Sequence, residues 1–85
     1  MTVQSSTTII ETNGVYTDVE TLTGITFVQG NTYTMQIQNT GYLKIGDAEF
    51  ELRDKFLQYK DEGETLYIKT QYLPCTLTIL EHEAA

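Results

Sequence analysis

Histidine and cysteine, two of the side chains that most often carry out base or nucleophilic chemistry, each occur once among the 85 residues. His82 is the single histidine and lies near the C-terminus, where we expect a solvated tail that cannot hold a general base in place. Cys75 is the single cysteine; a nucleophilic thiol needs a nearby base, so we interpret Cys75 as a small core residue. A zinc site needs about four suitably spaced ligands, which the sequence does not offer. We therefore predict no catalytic residue, no metal site and no cofactor.

The carboxylates are the remaining candidates for acid–base chemistry or metal binding. Glu49 and Glu51 lie two residues apart, which places both on one face of a strand. A glycosidase pair needs a carboxyl group in a walled cleft that raises its pKa, and a domain this small offers little wall. Asp61, Glu62 and Glu64 lack the alternating Asp and Asn positions of an EF-hand loop, so a solvated hairpin tip is favoured over a calcium site. The chain is predicted not to be an enzyme.

Tyrosines are the residues best suited to contact a partner, since they combine apolar area with a polar hydroxyl group. Tyr33 lies on the core-facing side of its strand. Tyr16, Tyr67 and Tyr72 have apolar neighbours that can fill the interior instead, so we expect these three to face outward. A polar N-terminal segment adds two further candidates. The predicted partner-binding residues are Val3, Thr7, Tyr16, Tyr67 and Tyr72.

Charge and cysteine content restrict the classes of partner. Twelve acidic and five basic residues give a formal net charge of −7, with a pI near 4.3, which repels nucleic-acid phosphates and anionic membranes. A single cysteine forms no internal disulfide. The first residues show no export signal, and no stretch approaches the roughly 20 apolar residues of a membrane span. We expect a chain that folds in a reducing cytoplasm and binds neither nucleic acid nor membrane.

Strands are expected to position these side chains, because the sequence is rich in threonine and tyrosine. The clearest signal is the alternation of Tyr33, Met35 and Ile37 with polar residues, flanked by the turn residues Gly30-Asn31 and Asn39-Thr40-Gly41. We interpret both flanks as hairpin boundaries. The predicted strands are residues 7–11, 15–22, 25–28, 32–38, 42–45, 48–53, 56–59, 65–70 and 75–80.

A tight hairpin is predicted at Gly46-Asp47, and the alternation after it points Ala48, Phe50 and Leu52 inward. The whole pattern favours an all-β fold, a compact antiparallel β-sandwich of about eight or nine short strands, with a small barrel as the alternative. We expect residues 1–8 to form a polar arm that orders in assembly, residues 9–81 to form the domain, and residues 82–85 to form a short tail. Burial by so small a domain only just offsets the cost of ordering it, so assembly with neighbours is expected.

Residues 30–81 resemble a group of short bacteriophage structural proteins, which are small β-sandwiches with two characteristic sequence phrases. The matching residues are Gly30, Tyr33, Gln36, Gln38 and Asn39, then residues 66–70, then residues 76–81. The resemblance implies a virion component present in many copies, assembled in the host cytoplasm. It implies a capsid decoration or head accessory subunit, with a tail or fibre accessory subunit as the alternative.

The implied partners are copies of the chain itself and a larger virion protein such as the major capsid protein. Free edge strands and the N-terminal arm could extend a sheet onto such a neighbour through main-chain hydrogen bonds. A function of a different class is a module that recognises glycans through exposed Tyr and Gln side chains. The absence of tryptophan weighs against that alternative.

Overall fold

The computed structural model describes residues 3–82, which form six β-strands and one short helix. In chain order the elements are β1 Ser5–Ile10, β2 Thr17–Asp18, α1 Val19–Thr23, β3 Thr32–Ile45, β4 Ala48–Lys60, β5 Leu66–Lys69 and β6 Cys75–His82. Every strand pair is antiparallel, so the prediction of a mainly antiparallel β fold is confirmed. The prediction of eight or nine strands is wrong for the described residues.

Strand β3 organises the sheet. Strand β4 pairs along one side of it, while β6 pairs with its first half and β5 with its second half on the other side. Strand β1 then joins β6, and β2 joins β5. All six strands therefore belong to one hydrogen-bonded sheet, which curls like half of a barrel. This arrangement is closer to the small-barrel alternative than to two separate layers.

Two predicted breaks in the chain are bends inside long strands. Asn39 lies within β3, and Asp54 lies within β4 where the sequence predicted a gap between two strands. Both residues have positive φ, and the register of the two strands shifts beside them. The Asp54 carboxylate accepts a hydrogen bond from the Asn39 backbone N–H at 2.8 Å. Short polar side chains tolerate this backbone region, so the residues interpreted as a turn bend the hairpin without ending it. The hairpin at Gly46-Asp47 is confirmed.

The core lies on the concave face of the curled sheet. Tyr33, Met35 and Ile37 are buried there as the alternation predicted, and so is Cys75. The other buried apolar side chains are Ile10, Val19, Ile25, Leu43, Tyr59, Leu66, Ile68, Leu77 and Ile79. Near the bend, a Cβ on Gly41 would lie 3.2 Å from the Cys75 Sγ atom, so the core leaves little room for a side chain at this position.

Of the predicted strands 15–22 and 25–28, only Thr17–Asp18 forms a strand, β2; the rest of this segment is helix α1 followed by irregular chain. Asp18 caps α1 by accepting a hydrogen bond from the Glu20 N–H at 2.8 Å, and Gly24 ends it with a φ of 77°. Phe27 then packs edge-to-face on Tyr33, with ring centroids 4.7 Å apart. Side-chain capping and aromatic packing stabilise this segment in place of a β ladder.

The two ends of the described chain belong to the sheet. Residues 5–8 of the expected arm form part of β1 and pair with β6, so the sheet begins before Ile9; Met1 and Thr2 lie outside the described residues. His82 is the last residue of β6, where it pairs with Thr32 and its Nε2 atom lies 2.9 Å from the Thr34 hydroxyl. The expectation that His82 begins a free tail is therefore wrong, and residues 83–85 lie outside the described range.

Candidate interaction surfaces

Strand β4 forms one edge of the sheet, because β3 is the one strand that pairs with it in the described chain. Along its outer side, alternate backbone N–H and C=O groups have no strand to bond. Its 13 residues make it much longer than the edge strands β1, with 6 residues, and β2, with 2. A long unpaired edge can accept a strand from a neighbouring chain.

An apolar groove of about 270 Å³ follows β4 on the concave face. Phe50 pairs with the buried Leu43 across the hairpin and shares its face, so the predicted inward direction of Phe50 is correct. Its side chain is nevertheless 46% exposed, because no other element of the described chain covers it there. Helix α1 packs on β1, β2 and β5, on the other side of β3, and leaves this part of the face uncovered. Leu52 and Leu57, both partly buried, continue the groove.

The side chains of β4 change their alternation at the bend. Cross-strand partners place Phe50 and Leu52 on the concave face before Asp54, and Leu57 and Tyr59 on that face after it. Even-numbered residues thus face the groove in the first half of the strand and odd-numbered residues in the second half. The positive φ of Asp54 accompanies this change. Phe56 consequently lies on the convex face, where it is 75% exposed.

A second surface is a cleft of about 660 Å³ on the convex face, between the bend of the hairpin and the loop that joins β5 to β6. Tyr42, Glu51 and Arg53 line its sheet side, and Tyr72 and Leu73 line its loop side. Tyr72 is 89% exposed, in agreement with the outward direction predicted for it. We call this the bend cleft. It offers aromatic faces beside charged groups of both signs.

Tyr16 lies close to the bend cleft and is held by charged neighbours. Its hydroxyl donates a hydrogen bond to the Glu49 carboxylate at 2.8 Å, and the Lys69 Nζ atom lies 4.6 Å from its ring centroid. Burial, followed by the hydrogen bond to Glu49, raises the pKa of Tyr16 to about 12. The same Lys69 amine is 5.5 Å from the ring centroid of Tyr42, which sequence reasoning did not single out. The structure therefore places Tyr16 in a cluster with Tyr42.

The other predicted contact residues are more dispersed. Tyr67 pairs with Lys44 on β3 and is partly buried. Val3 and Thr7 are exposed, and the Thr7 hydroxyl lies 3.5 Å from that of Thr78 across the β1–β6 ladder. Because β1 and β2 extend different halves of the sheet, the structure does not join the N-terminal candidates to the tyrosine cluster.

Buried carboxylates occupy structural positions. Glu81 accepts hydrogen bonds from the Gln4 N–H at 3.0 Å, the Tyr33 hydroxyl at 2.8 Å and the Asn31 side-chain amide at 3.1 Å. These donors, the Gln4 N–H foremost, hold the pKa of Glu81 below its ordinary value. Asp61 similarly accepts from the Tyr59 hydroxyl at 2.9 Å. A glutamate stabilised as its anion is unsuited to act as a general acid, and here Glu81 on β6 ties Gln4, the residue before β1, to Tyr33 on β3.

Among residues 3–82, no group of three or more His, Cys, Asp or Glu side chains is arranged to hold a metal ion. Nor does that part of the chain contain a helix with the length and apolar character needed to cross a membrane. Comparisons of the chain with protein-family models, curated proteins and solved structures give no match. The similarity to phage structural proteins therefore stays a prediction from the sequence.

Sequence reasoning did not identify β4 as an exposed edge strand. Its period-two pattern indicated a strand with Phe50 pointing inward, and gave no sign that the side chain would be left exposed. One signal in the sequence pointed to the bend and the edge: Phe56 falls out of phase with Phe50 and Leu52 immediately after the charged run Arg53-Asp54-Lys55. Charged residues are frequent on edge strands.

Proposed function

We propose that this chain is a non-enzymatic structural subunit that acts by binding neighbouring polypeptides through strand β4. The observation that carries the proposal is an unpaired edge of 13 residues with exposed aromatic side chains on both faces, Phe50 and Phe56. Main-chain groups on such an edge bond any strand of suitable length, and the aromatic side chains add apolar area that association removes from water.

The subunit belongs, in this proposal, to a virion, as a capsid decoration or head accessory protein, or alternatively as a tail or fibre accessory protein. Its partners are copies of itself and a larger virion protein such as the major capsid protein. The sequence resemblance across residues 30–81 supports the virion assignment. Many equivalent contacts on a lattice raise the effective concentration, so modest individual interfaces suffice.

Sedimentation of the purified chain, alone and mixed with virus particles from the same source, tests the proposal. We expect self-association at high concentration and co-sedimentation with the particles. Phe50→Ser should weaken both, because it removes an exposed apolar group from the groove while leaving the buried core intact. Val15→Ser, which changes an exposed apolar residue away from β4, is the matched control and should behave as the unmodified chain does. A chain that stays monomeric and never co-sediments would refute the proposal.

A second candidate function is glycan binding at the bend cleft. It is supported by the exposed ring of Tyr72, which lines the same cleft as Tyr42 and the charged side chains Glu51 and Arg53, since sugars stack on aromatic rings and bond to polar groups at the same site. A glycan array tests it with the unmodified chain and with Tyr72→Ala. An array without signal, or a signal unchanged in the variant, would dismiss this candidate.

A further inference from the structure

We infer that the strand bound by β4 is the β4 of a second copy of this chain, paired antiparallel about a twofold axis between Asp54 and Lys55. This inference rests on the proposed function and names its partner. In the inferred register the position numbers of facing residues sum to 109. Phe50 faces Tyr59 of the second copy, Leu52 faces Leu57, and Glu49 faces Lys60.

The change of alternation at Asp54 supports this register. In a regular strand, even-numbered and odd-numbered residues lie on opposite faces. A strand paired with its own copy so that the position numbers of facing residues add to an odd number would therefore set apolar against polar side chains. In β4 the concave face carries even-numbered residues before Asp54 and odd-numbered residues after it. An odd sum therefore brings concave residues opposite concave residues over both halves of the strand. Because the bend changes which residues lie on the concave face, the first half of one β4 can pair with the second half of the other with their concave side chains on the same side.

Apolar groups meet on the concave face of the inferred dimer. Phe50 is 46% exposed in the single chain, and Leu52 and Leu57 are partly buried beside it. Pairing Phe50 with Tyr59 and Leu52 with Leu57 across the axis makes the two grooves continuous. On the convex face, Arg53 of one copy lies opposite the exposed Phe56 of the other, the arrangement in which a guanidinium group can stack on an aromatic ring.

Opposite charges also meet in this register. Glu49 faces Lys60, and Asp54 faces Lys55, and symmetry repeats each pair. Opposite charges directly across two strands stabilise the pairing, and like charges destabilise it. The charges that keep unrelated strands away from this edge thus match each other when the partner is the same chain.

Neighbouring odd registers are poorer. A sum of 107 places Lys55 opposite Leu52 on the apolar face, and a sum of 111 loses the pairing of Glu49 and Phe50 altogether. Every even sum that pairs the first half of β4 with the second half opposes concave to convex side chains, such as Phe50 to Gln58. The register that sums to 109 pairs every residue from 49 to 60. It also sets the opposite charges and the apolar side chains of the two copies against each other.

The size of the contact indicates a reversible dimer. Twelve paired residues at about 3.4 Å each give an edge of about 40 Å, as long as the molecule itself, whose longest dimension is 39 Å. A strip about 10 Å deep along that edge gives about 400 Å² on each partner, half of the roughly 800 Å² in a standard interface. We expect a dissociation constant in the micromolar range, which a particle lattice would reinforce.

Cysteine trapping tests the register. Leu52→Cys combined with Leu57→Cys places two thiols across the inferred axis, at the separation that a disulfide spans. We expect oxidation above the dissociation constant to give a covalent dimer. Phe50→Cys combined with Leu57→Cys, which would face each other only in the register that sums to 107, is the matched control and should give little. A control that crosslinks in preference to the test pair would overturn the inferred register.

Charge exchange gives a second, reversible measurement. Lys60→Glu should weaken the dimer about tenfold or more, because it turns both symmetry-related attractions into repulsions, and adding Glu49→Lys to the same chain should restore it. Circular dichroism verifies that each variant is folded. If a dimer forms but neither thiol pair crosslinks and charge reversal has no effect, the dimer uses another surface. The inference then fails. If the chain is monomeric but still co-sediments with particles, only the inference fails; if it does neither, the proposed function fails with it.

Discussion

Removal of the Tyr33 hydroxyl is the sharpest available test of what holds the concave face together. The side chain is fully buried, and its oxygen accepts a hydrogen bond from the Val28 N–H at 2.6 Å and donates one to the Glu81 carboxylate at 2.8 Å. Tyr33→Phe keeps the ring that packs on Phe27 and removes both bonds. It therefore separates hydrogen bonding from apolar packing at one position.

The expected cost follows from the two bonds. A neutral hydrogen bond contributes about 1 kcal/mol and one to a charged group about 1.5–3 kcal/mol, so the substitution should lower the free energy of unfolding by about 3 kcal/mol. That is a large share of the roughly 4–13 kcal/mol expected for a domain of this length. At about 4–8 °C per kcal/mol, the midpoint of thermal unfolding should fall by about 12–24 °C.

Thermal and urea unfolding followed by circular dichroism measure the effect. Tyr16→Phe is the matched control, because it removes the same atom from a more accessible hydrogen bond, that to Glu49, and should cost less than about 1 kcal/mol. A loss at Tyr33 no larger than the loss at Tyr16 would show that the bonds to Val28 and Glu81 do not stabilise the fold.

Three further predictions concern the buried groups. Glu81 has a folded-state pKa below its ordinary value of 4.5, so its anion stabilises the fold above that pH and the contribution is lost as the pH falls further. Glu81→Gln should therefore be less stable at pH 7 yet lose less stability between pH 5 and 3. Equal losses for the variant and the unmodified chain over this range, measured by urea unfolding, would contradict this. Burial raises the pKa of the Cys75 thiol, so a thiol reagent at neutral pH should react with it only as fast as the chain opens, and immediate reaction would refute that. Gly41→Ala brings a Cβ to 3.2 Å from the Cys75 Sγ and should cost about 1–2 kcal/mol, a cost that Cys75→Ala should partly relieve in a double-mutant cycle; additive losses would argue against the contact.

The sequence by itself determined the features that depend on local pattern. The alternation of Tyr33, Met35 and Ile37 predicted a strand with one buried face, and Gly46-Asp47 predicted the hairpin, both as found. Period-two burial and turn residues act over a few positions, so they can be recognised without knowing the partner strands. The local signals for α1 were also present, in the capping residues Asp18 and Gly24, but the surrounding β-prone residues obscured them.

Tertiary structure alone decided where strands end and which apolar residues are covered. Asn39 and Asp54 are residues that suit either a turn or a bend, and their pairing across the hairpin made β3 and β4 continuous. Phe50 and Leu43 share a face and are of similar apolar character, yet one is exposed and the other buried. The difference arises because β6 and β5 line one side of β3 while β4 is left at the edge. Burial is set by contacts between segments distant in the chain, and those contacts leave the outer edge of β4 unpaired among the described residues.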